Sequence, residues 1–237
     1  MALPRLNDTP QYELVIPSSG DTVAYRPFLV KEQKILLMAS EAQDVKQVVS
    51  SILTCIEGCV NGIDVRKLST FDVDYIFTQI RSKSVGETAT IVTPCSKCEH
   101  KNEITIQLDK IVVDVKNLPK NVIKLNSEIS VRMKYPTYLE MLSESSIMNQ
   151  ESGTAALFSA ITSCIESVMT EDENIQLSDE SKEEVEAFLN SLSAEQFEMI
   201  TEFVNSIPKI KYETEYNCES CQHENKLTLE GIQDFFS

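Results

Sequence analysis

The alternation of apolar and polar positions predicts a β-hairpin near the start of the chain. Residues 12–16 and 22–28 are rich in β-branched and aromatic side chains, and a short segment with Pro17 and Gly20 separates them. Two such runs, joined by three to five residues that include a glycine, are typical of a hairpin. The residues before them carry no such pattern, so we expect an extended arm and the hairpin over residues 1–30.

The spacing of apolar residues changes at Lys31, where intervals of three and four residues indicate helix. The polar residues at 41–44 predict a break that divides this stretch into two helices. Ser69 then offers an N-cap for a further helix, because its hydroxyl can accept a backbone N–H of the first turn. We therefore expect a helical segment over residues 31–84.

Period-two alternation returns over residues 85–135, which we assign to the first half of a β-domain. From residue 136 to residue 208 the spacing is helical again, and it predicts an inserted bundle of about four helices. The expected helices cover residues 138–148 and 154–169 and two segments that begin with capping boxes at Ser181 and Ser193. The helix over 154–169 is the most apolar in the chain, which favours a place inside the fold or at an interface.

A short motif, C-x-x-C-x-H-x-N, occurs twice and organises the chain. The two copies are Cys95-Ser-Lys-Cys98-Glu-His100-Lys-Asn102 and Cys218-Glu-Ser-Cys221-Gln-His223-Glu-Asn225. Each copy follows a β-type run and continues into alternating apolar residues, so each is expected to fold as strand, turn and strand. A C-x-x-C turn supplies two thiolates, which are half of the tetrahedral shell of Zn²⁺.

We therefore predict a structural Zn²⁺ bound by Cys95, Cys98, Cys218 and Cys221. A compact ribbon separates its two pairs by about 15–20 residues, so the much longer gap here indicates an inserted subdomain. The predicted fold is α+β: a split antiparallel zinc ribbon with an N-terminal hairpin and helices, and a helical bundle inserted between the knuckles. Residues 209–237 would form the second half of the ribbon and a tail. A closed shell of four thiolates leaves no position for water, so the metal would not be catalytic.

The same cysteines also allow a redox dithiol or disulfide bonds. A redox site favours a thioredoxin-like βαβ setting, which the pattern does not show. Disulfides need an oxidising compartment, and the first residues do not have the form of a signal peptide. His100 and His223 follow each pair at the same offset, but four thiolates already complete the shell, so we place them outside it. We interpret Cys55, Cys59 and Cys164 as buried free thiols of apolar helices.

Charge narrows the classes of function. The 237 residues include 37 acidic and 21 basic side chains, a formal net charge of −16. This charge disfavours nonspecific binding to nucleic acid or to an anionic membrane. A zinc-ribbon nucleic-acid or transcription accessory factor is therefore a second hypothesis. The sequence holds no phosphate-binding or nucleophile motif, so we expect no enzymatic activity, and a metal-dependent or redox enzyme is the third hypothesis.

Four stretches of the chain carry a family pattern. They are Ala2–Leu6, Tyr12–Gly20, Tyr25–Leu37 and Arg81–Glu87, the last followed by a strand and a C-x-x-C pair. These stretches resemble the baseplate hub proteins of T-even-type contractile-tailed phages, and the resemblance is strongest over residues 1–110. It implies a component of the central hub of the tail baseplate or a related assembly factor, and it brings no catalytic residues.

The expected function is that of a structural or assembly protein of a phage baseplate hub, with a structural Zn²⁺. Its partners would be other baseplate hub, tail or tape-measure proteins, an oligomer is compatible with it, and we expect neither nucleic acid nor a membrane as partner. The expected binding surfaces are Tyr25–Leu37, the helix around Leu157–Ile165, and the adjacent Phe235 and Phe236. A transient tail-assembly chaperone that is absent from the virion is the alternative. The expected location is the host cytoplasm during assembly, or the tail baseplate of the virion.

Overall fold

The computed structural model describes residues 9–42, 44–115, 118–143 and 153–231. The chain divides into two units, which we call the knuckle unit (residues 1–115 and 209–237) and the inserted unit (residues 116–208). Each contains helices and antiparallel strands, so the predicted α+β class is confirmed. Within the described ranges, no helix has the length and apolar character that crossing a bilayer requires.

The elements are numbered in chain order. The strands are β1 (Tyr12–Val15), β2 (Thr22–Tyr25), β3 (Thr88–Pro94), β4 (Lys101–Gln107), β5 (Val112–Val113), β6 (Val122–Lys124), β7 (Ser130–Met133), β8 (Ile165–Met169), β9 (Asn174–Gln176), β10 (Ile210–Asn217) and β11 (Glu224–Glu230). The α-helices are α1 (Val30–Ala42), α2 (Val45–Cys59), α3 (Thr70–Val85), α4 (Tyr138–Ser143), α5 (Thr154–Cys164), α6 (Lys182–Asn190) and α7 (Ala194–Asn205).

The first part of the knuckle unit follows the predicted order of elements. β1 and β2 form the expected hairpin, in which Tyr12 pairs with Tyr25. The predicted helical stretch forms the two helices α1 and α2, and the expected break lies between them. Asp44 caps α2, since its carboxylate accepts the backbone N–H of Lys46 at 2.9 Å. The hairpin and the helix break are therefore confirmed.

α3 begins at the predicted cap. The Ser69 hydroxyl oxygen accepts the backbone N–H of Asp72 at 3.3 Å, and the Asp72 carboxylate in turn accepts the backbone N–H of Ser18 in the β1–β2 turn at 2.9 Å. This network joins the hairpin to the start of the helix. α2 and α3 then bury their apolar faces against each other, and the deepest side chains are Ile56, Phe71, Ile76 and Ile80.

Two hairpins complete the knuckle unit. β3 pairs with β4 and β10 pairs with β11, both antiparallel. The short β5 lies on the other side of β10, with Val113 opposite Ile210. The chain therefore leaves the knuckle unit beside the point where it returns, and residues 116–208 are an excursion from one edge of this sheet.

The inserted unit is built on an antiparallel sheet with the order β6-β7-β8-β9. Helices supply the rest of its core. The buried residues of that core are Val131, Met133, Ile161, Cys164, Ile165, Leu189, Ile200 and Phe203. Both predicted capping boxes are present, because Ser181 and Ser193 accept the N–H of Glu184 and Gln196, whose side chains bond back to the caps.

The helical prediction for residues 136–208 was wrong in part. The helix expected over 154–169 ends at Cys164, and Ile165–Met169 form β8 instead. Burial alternates over the first three residues of β8, as it does in a strand. β8 also pairs with β7 on one side and with β9 on the other, so sheet formation overrides the local helical pattern. β6 and β7, expected in the ribbon domain, belong to the inserted unit because they pair in this same sheet. Of the helix expected over 138–148, residues beyond Ser143 lie outside the described residues.

Candidate metal centre

The two C-x-x-C turns close the two hairpins of the knuckle unit in the same way. The first turn follows the pair Pro94–Lys101, and the second follows the pair Asn217–Glu224. In each turn the N–H of the first cysteine donates to the carbonyl of the histidine five residues later, at 2.9 Å. The residue after the second cysteine is left-handed in both, with φ of 58° at Glu99 and 57° at Gln222. The repeated sequence thus gives a repeated backbone geometry.

The four cysteines of the two turns meet at one point. Their sulfur atoms all lie within 4.8 Å of one another. The Sγ of Cys95 lies 3.8 Å from that of Cys221, and the Sγ of Cys98 lies 3.6 Å from that of Cys218. A tetrahedral Zn²⁺ with bonds of about 2.3 Å would hold its sulfur ligands about 3.8 Å apart. A disulfide would need about 2.05 Å, so neither of these two pairs is disulfide-bonded, and the arrangement is compatible with a metal ion.

Hydrogen-bond donors surround the two buried sulfurs. The backbone N–H of Lys97 and the side-chain amide of Asn225 both donate to Cys95 Sγ, at 3.4 and 3.5 Å. Burial would raise the pKa of the Cys95 thiol, but these donors and its neighbours lower that pKa to about 6. Burial would also raise the pKa of the Cys218 thiol, but two backbone N–H groups of its own turn outweigh this effect and lower that pKa. A thiolate-favouring environment is what a metal ligand requires.

The partner thiol Cys98 behaves differently. The N–H of His100 lowers its pKa, but neighbouring thiols, Cys221 first, raise it to about 12. Four thiols this close cannot all ionise unless a cation offsets their mutual repulsion. The chemistry of the site therefore fits a divalent ion that prefers sulfur, with Cys95 and Cys218 buried and Cys98 on the exposed side.

Two asparagines connect the turns crosswise. Asn225, which ends the second motif, accepts the N–H of Ser96 in the first turn at 3.0 Å. Asn102, which ends the first motif, accepts the N–H of Glu219 in the second turn at 2.9 Å. Both side chains are buried, with 1% of Asn102 and 6% of Asn225 exposed. The sequence alone predicts no role for these residues, although their equal offset in both motifs is a signal that singles them out.

The remaining candidates do not join the cluster. His100 is exposed and His223 is half-buried, and neither belongs to the group of possible metal-holding side chains found in the described residues. Cys55, Cys59 and Cys164 are free and buried, as expected. Burial raises the pKa of Cys164 to about 11, which keeps this thiol protonated and unreactive.

The sequence of residues 9–237 matches a family described as T4 bacteriophage base plate protein. The chain belongs to this family. No curated protein and no solved structure matches it. The resemblance carried by the N-terminal stretches is thus confirmed at the level of the T4-type baseplate family, and the protein is a structural protein of a phage baseplate.

Membership in the baseplate family also bears on the expected location, partners and catalytic role of the protein. It indicates a place in the virion tail and implies interaction with other phage tail proteins. It favours a structural role over a catalytic one, while the absence of enzymatic activity stays a prediction. The same holds for the absence of nucleic-acid binding.

This baseplate protein exposes an apolar helix face. Val30, Leu37 and Met38 of α1 are 78%, 57% and 60% exposed, and Ile35 lies beside them at 39%. We call these four residues the α1 face. On this helix only Glu32 and Ala39 are buried, so most of its apolar side chains point away from the core. Clustered exposed apolar residues mark interaction surfaces more often than isolated ones do.

The other expected binding surfaces fare differently. Ile161, Cys164 and Ile165 are buried in the core of the inserted unit, so the expected surface around Leu157–Ile165 was wrong for these side chains. A helix that is apolar on most sides lies either inside its own fold or at an interface, and these three side chains lie inside the fold. Phe235 and Phe236 lie outside the described residues.

Proposed function

We propose that this protein is a structural and assembly component of the central hub of a phage tail baseplate. It acts by binding other tail proteins, and its fold is stabilised by a Zn²⁺ ion bound by Cys95, Cys98, Cys218 and Cys221. The observation that carries the proposal is the meeting of two thiol pairs, 120 residues apart between Cys98 and Cys218, in a chain of the T4 baseplate family.

The zinc would serve as a clip. Four thiolates complete a tetrahedral shell, and a closed shell has no open position for a substrate or a water. What the ion supplies is free energy of folding, since in sites of this kind metal binding and folding are coupled. The clip would hold the turn ends of the two hairpins together, at the opposite end of β10 from Ile210, where the chain returns beside Val113.

The α1 face supports the protein-binding part of the proposal. An apolar helix face that stays outside the core of its own protein commonly packs into a groove or against a helix of a partner. Lys31 and Lys34 flank it and are exposed, and Lys31 also pairs with Glu32 at 3.2 Å. A partner tail protein with an apolar groove and nearby carboxylates would match it.

The zinc is tested by metal analysis and by thermal unfolding. We expect one Zn²⁺ per chain, and we expect Cys95→Ser and Cys218→Ser to remove it and to lower the free energy of unfolding by more than about 3 kcal/mol. A chelator should lower the melting temperature of the parent protein and leave both variants unchanged. Variants that melt with the zinc-loaded parent would refute the clip.

Protein binding is tested by co-expression with the other baseplate proteins of the same phage. Leu37→Ser and Met38→Ser should leave the melting temperature nearly unchanged, because both side chains are exposed, and should abolish co-purification of the partner. Met199→Ser is the matched control, since Met199 is also an exposed methionine of a helix, in the inserted unit. Equal recovery of the partner with all three variants would argue against the α1 face.

A stable hub subunit and a transient chaperone are separated by mass spectrometry of purified virions. A hub subunit remains in finished tails in a fixed ratio to the other baseplate proteins, whereas a chaperone is absent from them.

Nucleic-acid binding is tested by titration across salt concentrations, where affinity that falls steeply with salt would favour the accessory-factor hypothesis.

A further inference from the structure

We infer that Asn102 and Asn225 are positioning residues that lock the two metal-binding turns to each other before any metal arrives. The inference deepens the proposed zinc site and rests on it for the metal readout. Its basis is the crosswise hydrogen bonding: each asparagine belongs to one hairpin by sequence and holds the turn of the other.

The orientation of both amides follows from the chemistry of their neighbours. A backbone N–H can only donate, so the atom of Asn225 that faces the N–H of Ser96 is the oxygen, and the same holds for Asn102 and Glu219. A carbonyl can only accept, so the nitrogens face the His223 and His100 carbonyls, each at 2.8 Å. Each amide therefore spans two turns, accepting from the opposite one and donating to its own.

Burial makes these bonds matter. Both asparagines are shielded from water, so an amide without its partners would be left unsatisfied in the interior. The bonds to the N–H groups of Ser96 and Glu219 involve no sulfur and no ion, so they hold the turns together in the metal-free protein. An approach of the two thiol pairs is thereby arranged in advance, and the metal meets a site whose ligands are already gathered.

The two positions are not fully equivalent. Asn225 also accepts the hydroxyl of Ser96 at 2.8 Å and donates to the sulfur of Cys95 at 3.5 Å. We therefore expect Asn225 to affect metal affinity more strongly than Asn102, because it both places the first turn and stabilises one thiolate directly.

Asn102→Ala and Asn225→Ala test the lock. In each variant we expect the affinity for Zn²⁺, measured by competition with a chelator, to fall about 10- to 100-fold, with the larger fall for Asn225→Ala. The matched control is Asn217→Ala, because Asn217 directly precedes Cys218 but is exposed; its affinity should equal that of the parent. Parental affinity in both test variants would overturn the inference.

Amide hydrogen exchange in the metal-free protein provides a readout that does not depend on zinc. Asn102→Ala should release the amide of Glu219, and Asn225→Ala should release the amide of Ser96, so each change exposes the opposite turn. If each change instead exposes only its own turn, or removes protection throughout both units, the asparagines are ordinary stability residues and the inference fails. If the parent binds no zinc, the proposed function loses its metal, while the crossed exchange pattern still decides whether the lock exists.

Discussion

At the scale of single residues, the buried Glu32 links α1 to the segment that joins it to β2. Its carboxylate accepts the guanidinium of Arg26 at 2.8 Å and the backbone N–H of Leu29 at 2.9 Å. Burial raises the pKa of this carboxyl, but Arg26 and Leu29 outweigh it, so the pKa lies below its ordinary value of 4.5. The side chain sits on the face of α1 that turns inward, and a helix pattern read from apolar residues alone could not identify it.

We predict that Glu32→Gln lowers the free energy of unfolding by about 2–3 kcal/mol at pH 7. A carboxyl whose pKa is depressed by folding contributes its stability above pH 4.5 and loses it as the pH falls through the folded-state pKa. The difference between parent and variant in urea unfolding should therefore be full at pH 7 and shrink below pH 4.5. A difference that does not vary with pH would mean that the charge of Glu32 has no part in it.

At the scale of elements, local signals predicted what is locally determined. The hairpin of β1 and β2, the caps at Ser69, Ser181 and Ser193 and the paired C-x-x-C turns follow from neighbouring residues, and the structure contains them. β8 could not be predicted in this way. Ile165–Met169 continues the apolar run of α5, and what makes it a strand is its pairing with β7, a partner more than thirty residues earlier. The crosswise asparagine bonds were missed for the same reason, because they join residues from different hairpins.

The central position of β8 gives a prediction for Ser167. This serine is buried, with 1% of its surface exposed, and its hydroxyl has no hydrogen-bond partner among the residues that the structure describes. Ser167→Ala should therefore raise the free energy of unfolding by about 1 kcal/mol, because it removes an unsatisfied polar group. Ser69→Ala is the comparison: it removes a working helix cap and should lower stability by about 1 kcal/mol in the same thermal assay. A loss of stability in Ser167→Ala would show that its hydroxyl is solvated in solution.

At the scale of the whole molecule, the inserted unit leaves and re-enters beside one strand pair. Val113 and Ile210 are opposite each other across β5 and β10, and antiparallel strands can be joined by a short turn. The long gap between the thiol pairs predicted an insertion. Its extent could not be read from the sequence, because β6 and β7 alternate like ribbon strands and only their pairing with β8 assigns them to the inserted unit.

We predict that residues 116–208 can be removed. Joining Val115 to Lys209 through Asn-Gly would turn β5 and β10 into a hairpin with a five-residue loop, a length that natural hairpins use. The shortened chain should keep its β content by circular dichroism and bind zinc with the affinity of the parent. An aggregated product, or one that binds no metal, would show that the knuckle unit depends on the inserted unit.

The wide separation of the two thiol pairs has a consequence for the order of events during translation. Cys218 follows Cys98 by 120 residues, and ribosomes add about 5–20 residues per second. About 6–24 s therefore pass between synthesis of the first pair and synthesis of the second, and in that interval the inserted unit emerges and can fold. The nascent chain carries only half of the thiol site for all of this time, so the proposed Zn²⁺ would complete its shell only after the inserted unit has been synthesised.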